Sequence, residues 1–130
     1  MKRAVNTTDR EVVETEISLA EKTEALADLV RNKRSRVDYD IKGEANQKII
    51  EIAPIWKQVN MISAGLELLN KKLSDVSLSE EDITLEANLQ ETWKQVRAIR
   101  SKSGEVEQQA AKLKDDEILK FDPADPQHWQ

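Results

Sequence analysis

Between Pro54 and Leu73 the chain reads PIWKQVNMISAGLELLNKKL, and its apolar residues Ile55, Val59, Ile62, Leu66, Leu69 and Leu73 fall at alternating steps of four and three. In a helix, at about 100° per residue, they line one narrow face with the strict a/d spacing of a coiled-coil seam. Trp56 stands beside it. A seam of this kind has to be covered by another helix, so the first question is which segment covers it.

The rest of the chain suits long helices. Charged residues make up 35% of the 130 positions and apolar types 38%, with one Phe, one Tyr, three Gly and three Pro. That balance favours narrow apolar stripes on wide solvated faces and leaves little turn chemistry for sheet. The net charge of −5 argues against nucleic acid as the main partner, because phosphate binding needs a basic face. The absence of Cys removes disulfides, thiol nucleophiles and thiolate metal sites together. No apolar run approaches the roughly 20 residues that span a bilayer. The opening MKRAVNTTDREVV lacks the apolar core of a signal peptide, so a soluble product without membrane contact is expected.

In chain order, Thr8 offers a helix N-cap, with Asp9 and Glu11 in the first turn. The apolar positions that follow, Val12, Leu19 and Leu26 among them, cover nearly half of a helical wheel. A stripe that wide touches more than one neighbour, so this helix either joins a bundle or self-associates, up to a trimer. Arg31, Lys33, Arg34 and Arg36 read as a solvated helix end, or else as a surface for an anionic partner. Gly43 marks a break, unless the helix runs through on Val37, Ile41, Ala45, Ile49 and Ile52. Pro54 then starts a new helix or kinks the old one.

The clearest boundary is at Ser79, an N-cap with Asp82 three residues on and Leu78 and Ile83 spaced for a hydrophobic staple. The link before it is short, which folds the Trp56 helix back on the Trp93 helix as an antiparallel hairpin. Its expected core is Trp56, Val59, Ile62, Leu66 and Leu69 against Leu89, Trp93, Val96 and Ile99, with Leu69 meeting Leu89 and Val59 near Ile99. Ser103 and Gly104 interrupt the second helix, where a bend or a loose end is expected before it resumes to about Leu119. Trp56-Lys57-Gln58-Val59 recurs as Trp93-Lys94-Gln95-Val96, either a duplicated helix giving a pseudo-symmetric hairpin or two amphipathic helices converging on one pattern.

The fold expected is therefore all-α. Residues 1–41 form a long coiled-coil-like helix for oligomerisation or docking, 42–119 the hairpin, and 120–130 an extended tail. In that tail, FDPADPQHWQ, Pro123 and Pro126 exclude helix. Phe121, His128 and Trp129 are its candidate anchors for a partner, with docking on the chain itself or disorder as the other readings. Asp122, Asp125 and His128 match no standard metal-ligand spacing, and His128 is the one His. With no phosphate loop and no nucleophile–base grouping, no cofactor and no enzymatic activity are expected.

The segments IIEIAPIWKQVNMISAGLELL and WKQVRAIRSKSGEVE resemble a small helical module encoded among the tail and tail-fibre genes of tailed bacteriophages. The matching residues are Pro54, Trp56, Lys57, Gln58, Asn60, Leu66, Leu69, Trp93, Val96, Arg97 and Ala98, in about the middle half of the chain. The resemblance implies a virion structural protein of the tail, baseplate or fibre attachment region, whose partners are other virion proteins and further copies of itself. The competing reading is a cytoplasmic helical adaptor or assembly chaperone that never enters the particle. A nucleic-acid binder using Arg31 to Arg36 with Arg97, Arg100 and Lys102 is a distant third.

Overall fold

The computed structural model describes the backbone of residues 3–130 and the side chains of residues 19–130. It is all-helical, with no strand among the described residues. Helix α1 spans Arg3–Ile52, α2 Ile55–Leu73, α3 Glu80–Ala111 and α4 Asp115–Lys120, and a 3-10 turn, η1, spans Pro126–Trp129.

Helix α1 runs without interruption through Gly43, and it has already begun at Arg3, upstream of the expected cap at Thr8. Among its described side chains Val37, Ile41, Ala45 and Ile49 are buried, one in every four, and Ala53, just past its end, continues the row. This i, i+4 row is the ridge by which one helix packs on another. It lies against α3, where Val96, Ser103, Val106 and Ala110 are buried. Two ion pairs fix the direction: Lys42–Glu107 at 3.1 Å and Arg34–Asp115 at 2.8 Å. Asp115 is the first residue of α4, just beyond α3, so rising numbers on α1 meet falling numbers along α3 and its continuation, and α1 and α3 are antiparallel. A boundary between residues 41 and 42 would cut α1 beside Ile41, which has no exposed surface. The core begins inside the segment expected to be a separate arm.

Pro54 divides α1 from α2 without reversing the chain. Lacking an N–H, it cannot continue the ladder. The orphaned carbonyls at the end of α1 are taken up from the next helix instead: Gln58 Nε2 donates to the Ala53 oxygen at 2.7 Å and Lys57 Nζ to that of Ile52 at 3.5 Å. The Pro54 carbonyl accepts from Gln58 N at 2.9 Å and starts α2. Near the following turn, Lys71–Asp82 at 2.9 Å and Lys72–Glu86 at 2.7 Å set α2 antiparallel to α3 as well. Helices α1 and α2 therefore succeed one another along α3. At 1.5 Å per residue, α3 is roughly 48 Å long and serves as the common support.

The α2–α3 turn closes by local chemistry. Val76 N donates to the Lys71 oxygen and Asp75 N to that of Lys72, with Asp75 at φ 57°. This is a Schellman ending with Asp in the left-handed position usually held by Gly. Ser79 Oγ then accepts from Asp82 N at 3.1 Å, and an Asp82 carboxylate oxygen accepts from Ser79 N at 3.2 Å, the reciprocal box expected there. Ile83 of the expected staple stays mostly exposed.

Helix α3 passes through Ser103 and Gly104 unbroken and stops at Ala111 instead, where a turn leads into α4. Beyond α4 the chain folds back, contrary to the extended tail expected. Phe121 and Ile118 are buried in one cluster with Val37, Ile41, Val106 and Ala110, and Trp129 packs on that cluster. Asp122 Oδ1 accepts from Ala124 N and Asp125 Oδ1 from Gln127 N, each at 3.0 Å, so both aspartates close turns that the flanking prolines allow. Trp129 Nε1 donates to the Pro123 oxygen at 2.8 Å.

Candidate functional site

The buried row of α1 carries on in phase across Pro54. Steps of four from Ala53 lead to the half-buried Lys57 and the buried Met61, and one heptad later to the buried Leu68. These residues face α3. The stripe Ile55, Val59, Ile62, Leu66, Leu69 and Leu73 is out of phase with that row: Met61 and Leu68 lie roughly 130° from its centre at 100° per residue. Its six residues are 51 to 76% exposed, and Trp56 beside them is 67% exposed.

This corrects the expected hairpin core. Helices α2 and α3 pair antiparallel, but Trp56, Val59, Ile62, Leu66 and Leu69 are not between them. On α3, Val96 is fully buried, while Leu89, Trp93 and Ile99 are half-buried. The less apolar side of α2, with Lys57, Met61, Ala64, Leu68 and Lys71, covers α3, and the more apolar side faces outward. A sequence signal for this existed. Extending the row Val37, Ile41, Ala45, Ile49 by a further four residues gives Ala53 and then Met61; stepping to Ile52 instead leads to Ile55 and the wrong face.

The exposed face has the character of a contact surface. Leu66, Leu69 and Leu73, with Glu67 and Asn70, line a shallow open groove of about 390 Å³. Its flanks carry few charges: Trp56, Ser63 and Asn70 with Glu67 beyond them on one side, Gln58, Gly65 and Lys72 on the other. Lys72 is already paired with Glu86. Gly65, in the middle of α2, has open space where a Cβ would stand. A mid-helix Gly costs about 1 kcal/mol relative to Ala, and nothing within the chain requires this one.

The other candidate residues separate into two groups. Leu19 and Leu26 are more than half exposed, on a section of α1 in which no residue from 19 to 29 is buried. Val12 lies outside the described side chains. The tail anchors, by contrast, are used internally. Phe121 is buried, His128 stacks on it with ring centroids 4.6 Å apart, and Lys48 Nζ sits 5.5 Å from the Trp129 ring centre. As a partner-docking peptide the tail is therefore corrected to a self-docked cap on α1 and α3. Asp122, Asp125 and His128 are engaged in that turn, and no three acidic or His side chains among the described residues gather as a metal site.

The basic cluster is likewise distributed. The helix does not end there; Arg31 pairs with Asp28 at 2.9 Å, and Arg34 reaches the α3–α4 turn. The WKQV repeat does not share one environment either: Val59 is 57% exposed and Val96 has no exposed surface. Gln58 caps α1, whereas Gln95 lies within α3 near Glu91. Equivalent positions in a pseudo-symmetric hairpin would match, so the structure gives the duplication no support. Among the described residues no helix is long and apolar enough to cross a membrane. Set against known protein families, curated proteins and solved structures, the chain matches none.

Proposed function

We propose that this chain is a structural part of a bacteriophage particle, belonging to the tail, the baseplate or the region where fibres attach, and that it works by helix association rather than catalysis. One observation carries the mode of action: a strict a/d stripe on α2, with Trp56 at its edge, stands exposed while a less apolar face of the same helix is packed. A contiguous apolar surface of this size on a folded chain marks a contact with another protein. The exposed Leu19 and Leu26 on α1 support the same reading, since a helix section that buries nothing gains little stability from packing. In this reading α2 and α3 form a helical hairpin, the leading part of α1 is a coiled-coil-like arm, and the partners are other virion proteins and further copies of this chain.

The viral setting rests on the resemblance around Trp56 and Trp93. Mass spectrometry of purified particles tests it: the chain should be present at constant copy number per particle. Its absence from particles, with the protein present in infected cells, would replace the virion reading with that of an adaptor or assembly chaperone.

A further inference from the structure

We infer that the exposed stripe of α2 is covered by the α2 stripe of a second copy, the two helices running antiparallel about a two-fold axis at Ala64. The inference rests on the association reading above and specifies its first contact.

The stripe is self-complementary under reversal. About Ala64, Ile55 falls opposite Leu73 of the other copy, Val59 opposite Leu69 and Ile62 opposite Leu66, so every apolar residue meets an apolar one. Antiparallel a/d helices pair in this way, each a layer against a d layer. A two-fold contact uses one patch twice, and this patch fits that symmetry.

The flanks agree. At the axis, Ser63 meets its own copy on one side and Gly65 on the other, and both are small enough to let the backbones approach. The open space at the Gly65 Cβ position is thereby given a use. Toward the ends, Trp56 lies on the same side as Asn70 of the other copy and Gln58 on the same side as Lys72, each pair offset by about 3 Å along the helix. No like charges face each other, although the chain carries 25 acidic and 20 basic residues. The stripe and Trp56 together expose on the order of 800 Å², about what each partner contributes to a standard interface. Because Met61 and Leu68 already hold α3, pairing through the stripe leaves the packed core undisturbed.

Light scattering on the full chain at tens of micromolar should give twice the chain mass. Ile62→Asp, at an exposed position, should leave the helical circular dichroism unchanged. It should raise the dissociation constant by at least about a hundredfold, since the two-fold repeats each buried charge. Direction is read from cysteines placed in this cysteine-free chain. Ile55→Cys and Leu73→Cys chains should form a disulfide with each other when mixed, and neither should do so alone. A monomeric wild type, a three-chain mass, a dimer unaffected by Ile62→Asp, or a disulfide between two Ile55→Cys chains would each overturn the pairing. A monomer that is nonetheless found in particles sinks only this inference. A dimer absent from particles sinks only the virion reading.

Discussion

Arg34 Nη2 donates to the carbonyl oxygen of Leu113 at 2.8 Å, joining two residues 79 positions apart in the chain. The same nitrogen lies 2.8 Å from Asp115 Oδ1. One guanidinium on α1 thus satisfies a carbonyl in the turn between α3 and α4 and holds the first residue of α4, the point from which the tail folds back over the core.

Replacing Arg34 with Ala should loosen that turn. Arg34 is partly exposed, so the loss should be about 1 kcal/mol, less than a buried hydrogen bond to a charged group is worth because solvent screens it. Arg34→Lys should recover only part of it, because the shorter side chain carries a freely rotating ammonium in place of the two fixed N–H directions on Nη2. Urea denaturation of the three proteins measures the differences. A wild-type midpoint in Arg34→Ala would show that the turn holds without it.

Phe121 connects the tail to the core, so Phe121→Ala should destabilise the chain by about 3 kcal/mol or more, as truncations of buried aromatics do. A tail that served only as a free docking peptide would give almost no change. The comparison is made by denaturant unfolding on the isolated protein.

The two valines of the WKQV repeat should respond differently. Val96→Ala removes two methyls from a fully buried site and should cost about 2 kcal/mol; Val59→Ala should cost less than about 0.5 kcal/mol in dilute protein. If pairing through α2 occurs, the Val59→Ala effect should grow with protein concentration. Thermal melts over a concentration series read both effects.

Asp82 carries a pH dependence. The hydrogen bond from Lys71 Nζ, followed by that from Ser79 N, holds its carboxyl below the ordinary value of 3.8, against the opposing effect of partial burial. The unfolded chain therefore takes up this proton first as pH falls. The resulting stabilisation is fully present above about pH 4 and is lost as pH drops through the lower folded value. Asp82→Asn should be less stable than wild type at neutral pH, and the gap should close in acid. Melting curves from pH 7 down to pH 2 show whether it does. A gap of constant size would mean the carboxylate charge is not what matters at this cap.

A neighbouring change should act in the opposite sense. Asp75→Gly places at φ 57° the residue best suited to a left-handed helix ending, and should stabilise the α2–α3 turn by about 0.5–1 kcal/mol. An unchanged or lower melting temperature would show that the Asp side chain contributes to the turn.

What the sequence determined by itself is local: an all-helical chain, the reciprocal cap at Ser79 and Asp82, the break at Pro54, and the stripe on α2. Each depends on residues within a turn or two of one another, and a helix period or a cap needs no distant partner to be read. Tertiary structure decided which face each helix buries. The α1 row passes through Ala53 to Met61, so α2 meets α3 on the side that keeps phase with α1, and its most apolar face is left outward. The same holds for the tail. Its prolines forbid a regular helix, but only the cluster of Ile41, Val106 and Ile118 gives Phe121 a place to be buried. Periodicity measures how apolar a face is; what lies opposite that face depends on how two distant segments share the length of α3.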